Sequence, residues 1–470
     1  MYLGTCDDYC SFIIMIGLVK ESATKFIKGT LFGFVIASVV SCGDKIQTPE
    51  DTKYLAEFHL ANYEQPVTLL KEGRRNLFVD YSTCCSLGQN SHFFQEVSAS
   101  FANSATLYFA IQGAEVNRME GDVYTLLRNI EEVSYAELAM VADRMAQSDI
   151  ESIMLTDGEY FTQNIAKGHV NDPYLANAFK TWILKGHDIH IISEPYIETN
   201  KGQEYNKKRF YIIFSDDRMP NNIYSRIRAT VDFTKYPDID DFHISTSHPF
   251  LKGDGNSNAS IQNEILQSKS KGYGTFEVED WEGCDWGTIE EMIVNGVDAS
   301  TGEALQNGDF VLKMSLDKNS FGCYKINSLN VKAYDINQSY NDFYMAKMEN
   351  PKANPSLGSA VCEIDSLFVV DSGEFEKHST VAIHFNQMWF NPAVLSGSPY
   401  NYIKVDLSIG SVQEIFSSHE DKFTFDDISQ PGNKNVSVAS SIKQCLADYE
   451  VQEMMQNQVI YSIYVKCEGN

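Results

Sequence analysis

The chain has 470 residues, of which 43% are hydrophobic and 12% aromatic, enough for two or three domains with apolar cores. Its 37 basic and 64 acidic residues give a net charge of −27, which repels nucleic-acid phosphates and anionic lipid headgroups. The composition therefore argues against a nucleic-acid-binding protein and against adhesion to membranes through a basic patch.

The first clear pattern in chain order lies near the N-terminus. Lysines between residues 20 and 28 precede an apolar stretch at 29–40, which is too short for a membrane-spanning helix but typical of a signal peptide. The segment VVSC that ends at Cys42 resembles a bacterial lipobox, in which the thiol is diacylated and the preceding residues are removed. We expect a signal peptide at 1–41 and a lipidated Cys42. An ordinary secretory signal with an incidental cysteine is the alternative.

The residues after Cys42 are compatible with an exported protein. Residues 42–64 are predicted to be a tether, and no later segment has the roughly 18 apolar residues of a membrane span. Seven of the ten cysteines follow Cys42 at scattered spacings, so neither a zinc ribbon nor a disulfide scaffold is predicted. We expect a lipid-anchored protein of the bacterial cell envelope, with the outer membrane as the favoured location, that contacts the membrane through its anchor only.

Between residues 65 and 229, predicted strands alternate with predicted helices. Ser134 is a candidate N-cap with Glu137 three residues later, and Pro173 and Gly186 bracket another helix. The predicted strands are 76–79, 106–111, 150–156, 188–193 and 209–215, and the predicted helices are 91–101, 134–147 and 172–186. This alternation predicts an α/β domain with a doubly wound, mostly parallel sheet.

From residue 230 to residue 470, helical patterns become scarce and short alternating segments separated by Gly, Asn, Asp and Ser dominate. Predicted strands lie at 310–316, 328–334, 363–370, 380–385 and 401–407. The pattern is typical of one or two sandwich-like domains. The predicted fold class is therefore α/β followed by an all-β region.

Two of the predicted strands end on an aspartate. Asp80 is followed by Ser82 and Cys84 at alternating positions, and Asp157 follows another strand. Ligands of open α/β sheets bind at the carboxyl ends of the strands, and hard cations such as Mg²⁺ prefer oxygen donors. A cation site is therefore predicted, with Mn²⁺ or Ca²⁺ as other candidates. The alternatives are a helix-capping role for Asp80 and a simple turn at Asp157.

The motifs DYSTC at 80–84 and TDGE at 156–159, in this order and strand context, resemble the von Willebrand factor type A domain and its metal-ion-dependent adhesion site. That family has D-x-S-x-S after its first strand, a threonine in a middle loop and T/S-D-G after a later strand. The resemblance covers residues 70–215, including the predicted helix and strand between 174 and 196.

The resemblance implies that the metal ligands are Asp80, Ser82, Thr125 and Asp157. Ser134 is an alternative to Thr125 as the middle-loop hydroxyl. Cys84 stands where the family pattern has serine, and a thiol is a soft, poor ligand for Mg²⁺. The thiols of Cys84 and Cys85 are predicted to pack under the loop.

The function that the resemblance implies is non-enzymatic binding of an unidentified protein ligand, whose carboxylate completes the metal's coordination. One alternative is a structural or assembly lipoprotein with a degenerate metal site. Another is a phosphatase-like hydrolase with Asp80 as phosphoryl acceptor, although haloacid-dehalogenase-like phosphatases need a second aspartate where this chain has Ser82. His187 and His190 adjoin a predicted strand and are predicted to be structural.

Overall fold

The computed structural model describes most of the chain between residues 53 and 246 and between residues 323 and 468, together with seven isolated strands. The described ranges are 53–63, 69–101, 106–133, 135–159, 172–246, 323–353, 355, 400–456 and 458–468, and the strands at 264–266, 276–280, 289–295, 311–315, 362–364, 368–370 and 380–385. The predicted signal peptide, Cys42 and Ser134 lie outside them. Within these ranges, every helix is too short or too polar to cross a bilayer.

A seven-stranded sheet forms the centre of the N-terminal region. Its strands are β1 (Arg75–Asp80), β2 (Thr106–Gln112), β3 (Glu115–Met119), β4 (Glu151–Thr156), β5 (Asp188–Asn200), β6 (Gln203–Ser215) and β7 (Asp240–Ile244), in the order β3-β2-β1-β4-β6-β5-β7. The neighbours β2, β1 and β4 pair in parallel, and the other pairs are antiparallel. Strands β1, β2, β4 and β5 therefore run in one direction and the other three in the opposite direction.

Helices cover both faces of this sheet. The helices described up to residue 246 are α1 (Leu55–Tyr63), α2 (Thr83–Ser86), α3 (His92–Phe101), α4 (Val123–Arg128), α5 (Leu138–Gln147), α6 (Ala176–Ile183) and α7 (Ile223–Thr230), with 3-10 turns at Leu87–Asn90 and Phe233–Lys235. Of these, α1 packs against the C-terminal region and not on this sheet. Successive strand residues face opposite sides. Leu77 and Val79 pack with α3, α4 and α7, whereas Phe78 packs with α5 and α6. The predicted α/β domain is confirmed.

The main departure from the predicted sheet concerns β5 and β6. The predicted helix and strand between 172 and 193 lead to β5, but β5 does not pair with β4 as a further parallel strand. The antiparallel strand β6 lies between β4 and β5. A tight turn joins β5 to β6 through Lys201 and Gly202, at φ +51° and +81°. Positive φ at both central residues is the geometry of a two-residue hairpin turn. Lys-Gly is a weaker sequence signal for that turn than Asn-Gly, and the hairpin was not predicted.

The C-terminal region contains both strands and helices. Its described strands are β8 (Glu264–Leu266), β9 (Phe276–Asp280), β10 (Ile289–Asn295), β11 (Val311–Ser315), β12 (Tyr324–Asp335), β13 (Cys362–Ile364), β14 (Phe368–Val370), β15 (Thr380–Phe385), β16 (Tyr400–Glu414), β17 (Phe425–Asp426), β18 (Lys434–Asn435) and β19 (Val459–Glu468). Its described helices are α8 (Asn337–Glu349), α9 (Ser437–Ala447) and α10 (Tyr449–Met455), with 3-10 turns at Phe416–Ser418 and Glu420–Phe423.

These strands form separate sheets of six, four and two strands, in the orders β13-β12-β16-β19-β10-β9, β14-β15-β11-β8 and β17-β18. The pairings are antiparallel except for β10 with β19. The strand predicted at 363–370 is two strands that belong to different sheets. Because α8, α9 and α10 are helices, the prediction of an all-β region is wrong, and its sandwich-like arrangement stays a prediction.

Helix α9 belongs to the helical layer of the N-terminal sheet although it comes from the C-terminal region. Val438 and Ile442 share a hydrophobic core with Phe179 of α6. The amide of Leu175 donates a hydrogen bond of 3.1 Å to Ser441 Oγ. The C-terminal region therefore completes the domain that carries the predicted metal site.

The prediction of a tether over residues 42–64 is wrong for residues 55–63, which form helix α1. Leu55 and Phe58 are buried, and Phe58 makes edge-to-face ring contacts with Tyr340 and Phe343 of α8. His59 Nδ1 lies 2.9 Å from the Tyr464 hydroxyl. The aromatic residues of this segment contact residues more than 270 positions later in the chain. The polarity of the local sequence does not predict these contacts.

Candidate functional site

The strand ends bring the two predicted carboxylates together. Because β1 and β4 are parallel neighbours, Asp80 and Asp157 emerge side by side at the carboxyl edge of the sheet. Ser82 Oγ donates to Asp157 Oδ2 at 3.4 Å, and one potential ligand atom from each of Asp80, Cys84 and Asp157 lies within 4.8 Å of the others. Asp80, Ser82, Cys84 and Asp157 therefore form one cluster, here called the strand-end cluster.

Local hydrogen bonds fix both aspartates. The Ser82 amide donates to Asp80 Oδ1 at 2.8 Å, and the Thr156 hydroxyl donates to Asp80 Oδ2 at 2.8 Å. The Glu159 amide donates to Asp157 Oδ1 at 2.9 Å, across Gly158 at φ +72°. Asp157 therefore has the turn role that was its alternative interpretation. Asp80 does not cap helix α2, since the position before α2 is Ser82.

Thr125 does not join this cluster in the structure. It is exposed on α4, and its hydroxyl and amide both donate to the carboxylate of Asp122, at 2.9 and 2.8 Å. Asp122 is the N-cap of α4, and this cap holds the Thr125 hydroxyl at its own helix start. The threonine that contacts Asp80 is Thr156, which the sequence pattern did not single out.

The two carboxylates are buried together. Asp80 is 1% exposed and Asp157 is 6% exposed. Burial, and then the charge of Asp157, raise the pKa of Asp80 to about 7, although hydrogen bonds from Ser82 and Thr156 oppose the shift. Asp80 therefore holds a proton into the neutral pH range, and a divalent cation binding here would have to displace it.

The long β5–β6 hairpin forms one wall of the site. Strand β4 pairs with β6 only from Phe210 to Phe214, so earlier residues of β6 extend beyond the end of β4. One of them, the buried Lys207, forms an ion pair with Glu159. Burial lowers the pKa of Lys207, but the carboxylates of Asp157 and Glu159 have the larger combined effect and raise it. Lys207 thus places a cationic group at this edge.

Glu159 also belongs to this charged wall. Burial, and then Asp157, raise its pKa to about 7, while Lys207 acts in the opposite direction. The pKa of Glu198 is raised by burial, against the opposing charge of Lys207. Sequence reasoning missed Lys207 and Glu198, because no motif connects them to the strand ends and the undetected hairpin positions both.

Cys84 occupies the site as a neutral thiol. Its Sγ lies 3.5 Å from Ser82 Oγ and 3.5 Å from Cys85 Sγ, and the residue is fully buried. Burial, and then the neighbouring Cys85, raise the pKa of the Cys84 thiol well above its ordinary value. An uncharged thiol is neither a strong nucleophile nor a good ligand for a hard cation. The oxygens of Asp80, Ser82 and Asp157 fit Mg²⁺, and Cys84 does not.

A buried arginine holds the loop that carries Cys84. Arg209 Nε and Nη2 donate to the carbonyl oxygen of Cys84, at 2.8 and 2.6 Å, and Nη1 donates to Glu194 at 2.7 Å. Arg209 and Glu194 are directly paired positions of the β5–β6 hairpin. The hairpin therefore fixes the backbone of the D-x-S-x-C loop.

The C-terminal region covers the second aspartate loop. Ser437 Oγ and the Tyr174 hydroxyl donate to the Gly158 carbonyl oxygen, at 3.0 and 3.1 Å. A Cβ atom on Gly158 would lie only 2.5 Å from Val438 Cγ2. This close approach and the positive φ both require glycine at position 158.

A groove of about 510 Å³ lies between the β5–β6 hairpin and the C-terminal region. Lys207, Lys208 and Lys434 line it, together with Tyr196 and Thr424 among others. Lys207 thus lines both the groove and the wall of the strand-end cluster. Asp421 lines the groove as well, and Lys207 and Lys434 are paired with Glu159 and Asp426, so much of this positive charge is balanced.

Comparison of the chain with models of known protein families, with curated proteins and with solved structures finds no match in any of the three. The resemblance to the von Willebrand factor type A domain therefore stays a prediction from the sequence motifs.

Proposed function

We propose that this protein is a lipid-anchored protein of the bacterial cell envelope that binds a protein ligand through a divalent cation in a type A-like domain. The observation that supports this function best is the meeting of Asp80, Ser82 and Asp157 at the carboxyl edge of the sheet. Two buried carboxylates with one hydroxyl are an oxygen set that suits Mg²⁺, with Mn²⁺ or Ca²⁺ as other candidates.

Asp80, Ser82 and Asp157 would hold the ion, and a bound cation with an open position supplies a site for a carboxylate of the ligand. Thr156 orients Asp80 through its hydroxyl, and Arg209 fixes the backbone at Cys84. The role is binding and not catalysis.

The groove beside the cluster favours an acidic ligand. Lys208 and Lys434 line it and can attract a carboxylate-bearing segment, against the opposing charge of Asp421 in the same lining and of Asp426, which pairs with Lys434. Lys207 is buried and paired with Glu159, so the contribution of the groove to ligand binding depends on the other two lysines.

A structural or assembly role with a degenerate site is the second candidate. It is favoured by the neutral thiol of Cys84 and by Lys207, which already neutralises part of the acidic charge. A phosphatase-like hydrolase is less well supported. Ser82 stands where haloacid-dehalogenase-like phosphatases need a second aspartate, and both carboxylate oxygens of Asp80 already accept hydrogen bonds.

The experiment is a set of thermal and urea unfolding curves with EDTA and with Mg²⁺, Mn²⁺ or Ca²⁺, on the wild type and on Asp80→Ala. At a cation concentration 100 times Kd, binding should stabilise the wild type by about 2.7 kcal/mol, and Asp80→Ala should lose this increment. Asp122→Ala is the matched control, because it removes the carboxylate that holds Thr125, and it should keep the increment. Identical curves with and without cation in the wild type would contradict the proposal and favour the structural role.

A further inference from the structure

A second polar cluster lies at the opposite edge of the same sheet. Strand β5 runs in the same direction as β1 and β4, so its first residues lie at the edge away from Asp80. His190 is the third residue of β5, and His243 of β7 is its direct cross-strand partner. Asp217 follows the end of β6 and reaches the same place. These three residues are here called the histidine cluster.

The three side chains converge on the Asp217 carboxylate. His190 Nε2 lies 2.9 Å from Asp217 Oδ1, and His243 Nε2 lies 3.4 Å from Asp217 Oδ2. One potential ligand atom from each residue lies within 4.8 Å of the others. Asp188 supports the arrangement, since its carboxylate is 3.0 Å from His243 Nε2 and accepts the Asp217 amide at 2.8 Å.

The rings of this cluster are stacked. Tyr224 lies on one face of His190, with ring centroids 3.6 Å apart, and His243 lies on the other face at 4.1 Å. Both neighbours are nearly parallel to the His190 ring, with interplanar angles of 5° for Tyr224 and 8° for His243. The stack holds His190 in place, whereas the side chain of His243 is 28% exposed.

His190 has unused hydrogen-bonding capacity. Its Nδ1 is buried and has no hydrogen-bond partner among the described residues. A buried polar atom without a protein partner is uncommon in folded proteins. Because Nε2 of the same ring faces Asp217, Nδ1 is directed away from that carboxylate, and Nε2 is the nitrogen that faces the cluster. His187 shows the contrast: its Nδ1 lies 2.9 Å from Asp216 and its ring packs on Trp182, which fits the predicted structural role.

We propose that His190, His243 and Asp217 form a binding site for a divalent transition metal ion such as Zn²⁺, separate from the strand-end cluster. Two imidazoles and a carboxylate are a ligand set of this class of ion, whereas Mg²⁺ prefers oxygen donors. Parallel rings cannot direct their lone pairs at one point, so the partly exposed His243 turns when the ion binds and His190 stays in the stack. The bound ion links the edge strand β7 to β5 and to the loop after β6.

The test is calorimetric titration of the purified protein with Zn²⁺ in a buffer that contains excess Mg²⁺. We expect one Zn²⁺ per chain. His243→Gln and Asp217→Asn should each raise its Kd at least about 10- to 100-fold, the range produced by removal of outer-shell partners alone. His92→Gln, at an exposed position outside the cluster, should leave Kd unchanged. With Co²⁺ as the probe, absorption bands of imidazole-bound cobalt should appear in the wild type and be lost in His243→Gln.

Cys84→Ser separates this site from the strand-end cluster, which also contains a potential zinc ligand. We expect the Zn²⁺ affinity of Cys84→Ser to equal that of the wild type. Loss of Zn²⁺ binding in Cys84→Ser with retention in His243→Gln would place the ion at the strand ends and overturn the proposal. Absence of stoichiometric Zn²⁺ binding in the wild type would overturn it as well. A His190→Gln variant can fail to fold because His190 is buried. His243→Gln still tests the proposal in that case, because His243 is the less buried of the two.

Discussion

Burial shifts the pKa values of titratable groups in opposite directions at the two edges of the seven-stranded sheet. At the carboxyl edge, burial raises the pKa of Asp80 to about 7, so the acid keeps its proton. At the other edge, burial lowers the pKa of His190. The cause is the same in both clusters, because a low-dielectric interior disfavours whichever form is charged. The two clusters also offer a cation different donor chemistry, oxygens at the carboxyl edge and two imidazoles with a carboxylate at the other.

The support around the two clusters also differs. The strand-end cluster is enclosed by the β5–β6 hairpin through Arg209 and by the C-terminal helix α9 through Val438. The histidine cluster relies on ring stacking and on one partly exposed imidazole. Substitutions that loosen the enclosure should therefore affect the first cluster and spare the second.

The largest expected effect is that of Arg209→Met. This change leaves the buried Glu194 without its cationic partner, and loss of one member of a buried pair destabilises a protein by about 3–5 kcal/mol. We expect the lower part of that range, because Tyr211 still donates to Glu194. Urea unfolding measures the loss, and the double variant Arg209→Met/Glu194→Gln should recover part of it. If the single variant is as stable as the wild type, the hairpin is not the support proposed for the Cys84 loop.

The pH dependence of stability tests the buried carboxylate. The folded pKa of Asp80 is raised above its unfolded value of 3.8, so the folded state binds the proton more tightly. Stability should therefore fall as pH rises from about 4 to about 7 in metal-free buffer, by roughly 2–4 kcal/mol. Asp80→Asn should flatten this dependence and be more stable than the wild type at pH 8. Parallel pH profiles of the two proteins would show that Asp80 carries no such penalty.

Gly158→Ala tests whether α9 packs on the aspartate loop as described. The new methyl group would meet Val438 Cγ2 at 2.5 Å, in a backbone with φ +72°. Strain at positive φ and overpacking together should destabilise the protein by about 2–3 kcal/mol. Gly186→Ala is a useful comparison: it shares a positive φ of +79° but has no described atom within 4 Å of the new Cβ, so thermal melts should show a smaller loss. Equal losses would argue against contact with α9.

Cys84→Ser has the smallest expected effect and tests the difference in donor chemistry between the edges. A hydroxyl in place of the thiol gives the strand-end cluster another hard oxygen donor, so the Kd for Mg²⁺ should fall about tenfold, equivalent to about 1.4 kcal/mol. Cys85→Ser is the matched control, because its thiol points to the Leu155 carbonyl oxygen, and it should leave Kd unchanged. Titration calorimetry with Mg²⁺ distinguishes the two. An unchanged Kd in Cys84→Ser would mean that position 84 does not contact the ion.

Much of the N-terminal fold was predictable because its signals are local. The apolar run before Asp80 and the buried run before Asp157 are the strands β1 and β4, and the helix predicted at 91–101 is α3 with one residue less. The helix predicted from Ser134 begins later in the structure, at Leu138. Boundaries of this kind depend on caps and tertiary contacts that a hydrophobic pattern does not contain.

The sequence by itself determined that Asp80, Ser82 and Asp157 lie at strand ends, because hydrophobic runs of β periodicity stop at those residues. Only the tertiary structure decided what surrounds them. Thr125 caps its own helix, while Thr156, Lys207 and Arg209 reach the cluster through the pairing of β4, β5 and β6. The pairing of His190 with His243 likewise depends on β7 lying beside β5. Strand periodicity is a local property of the chain, whereas these contacts join residues far apart in sequence and exist only once the sheet has formed.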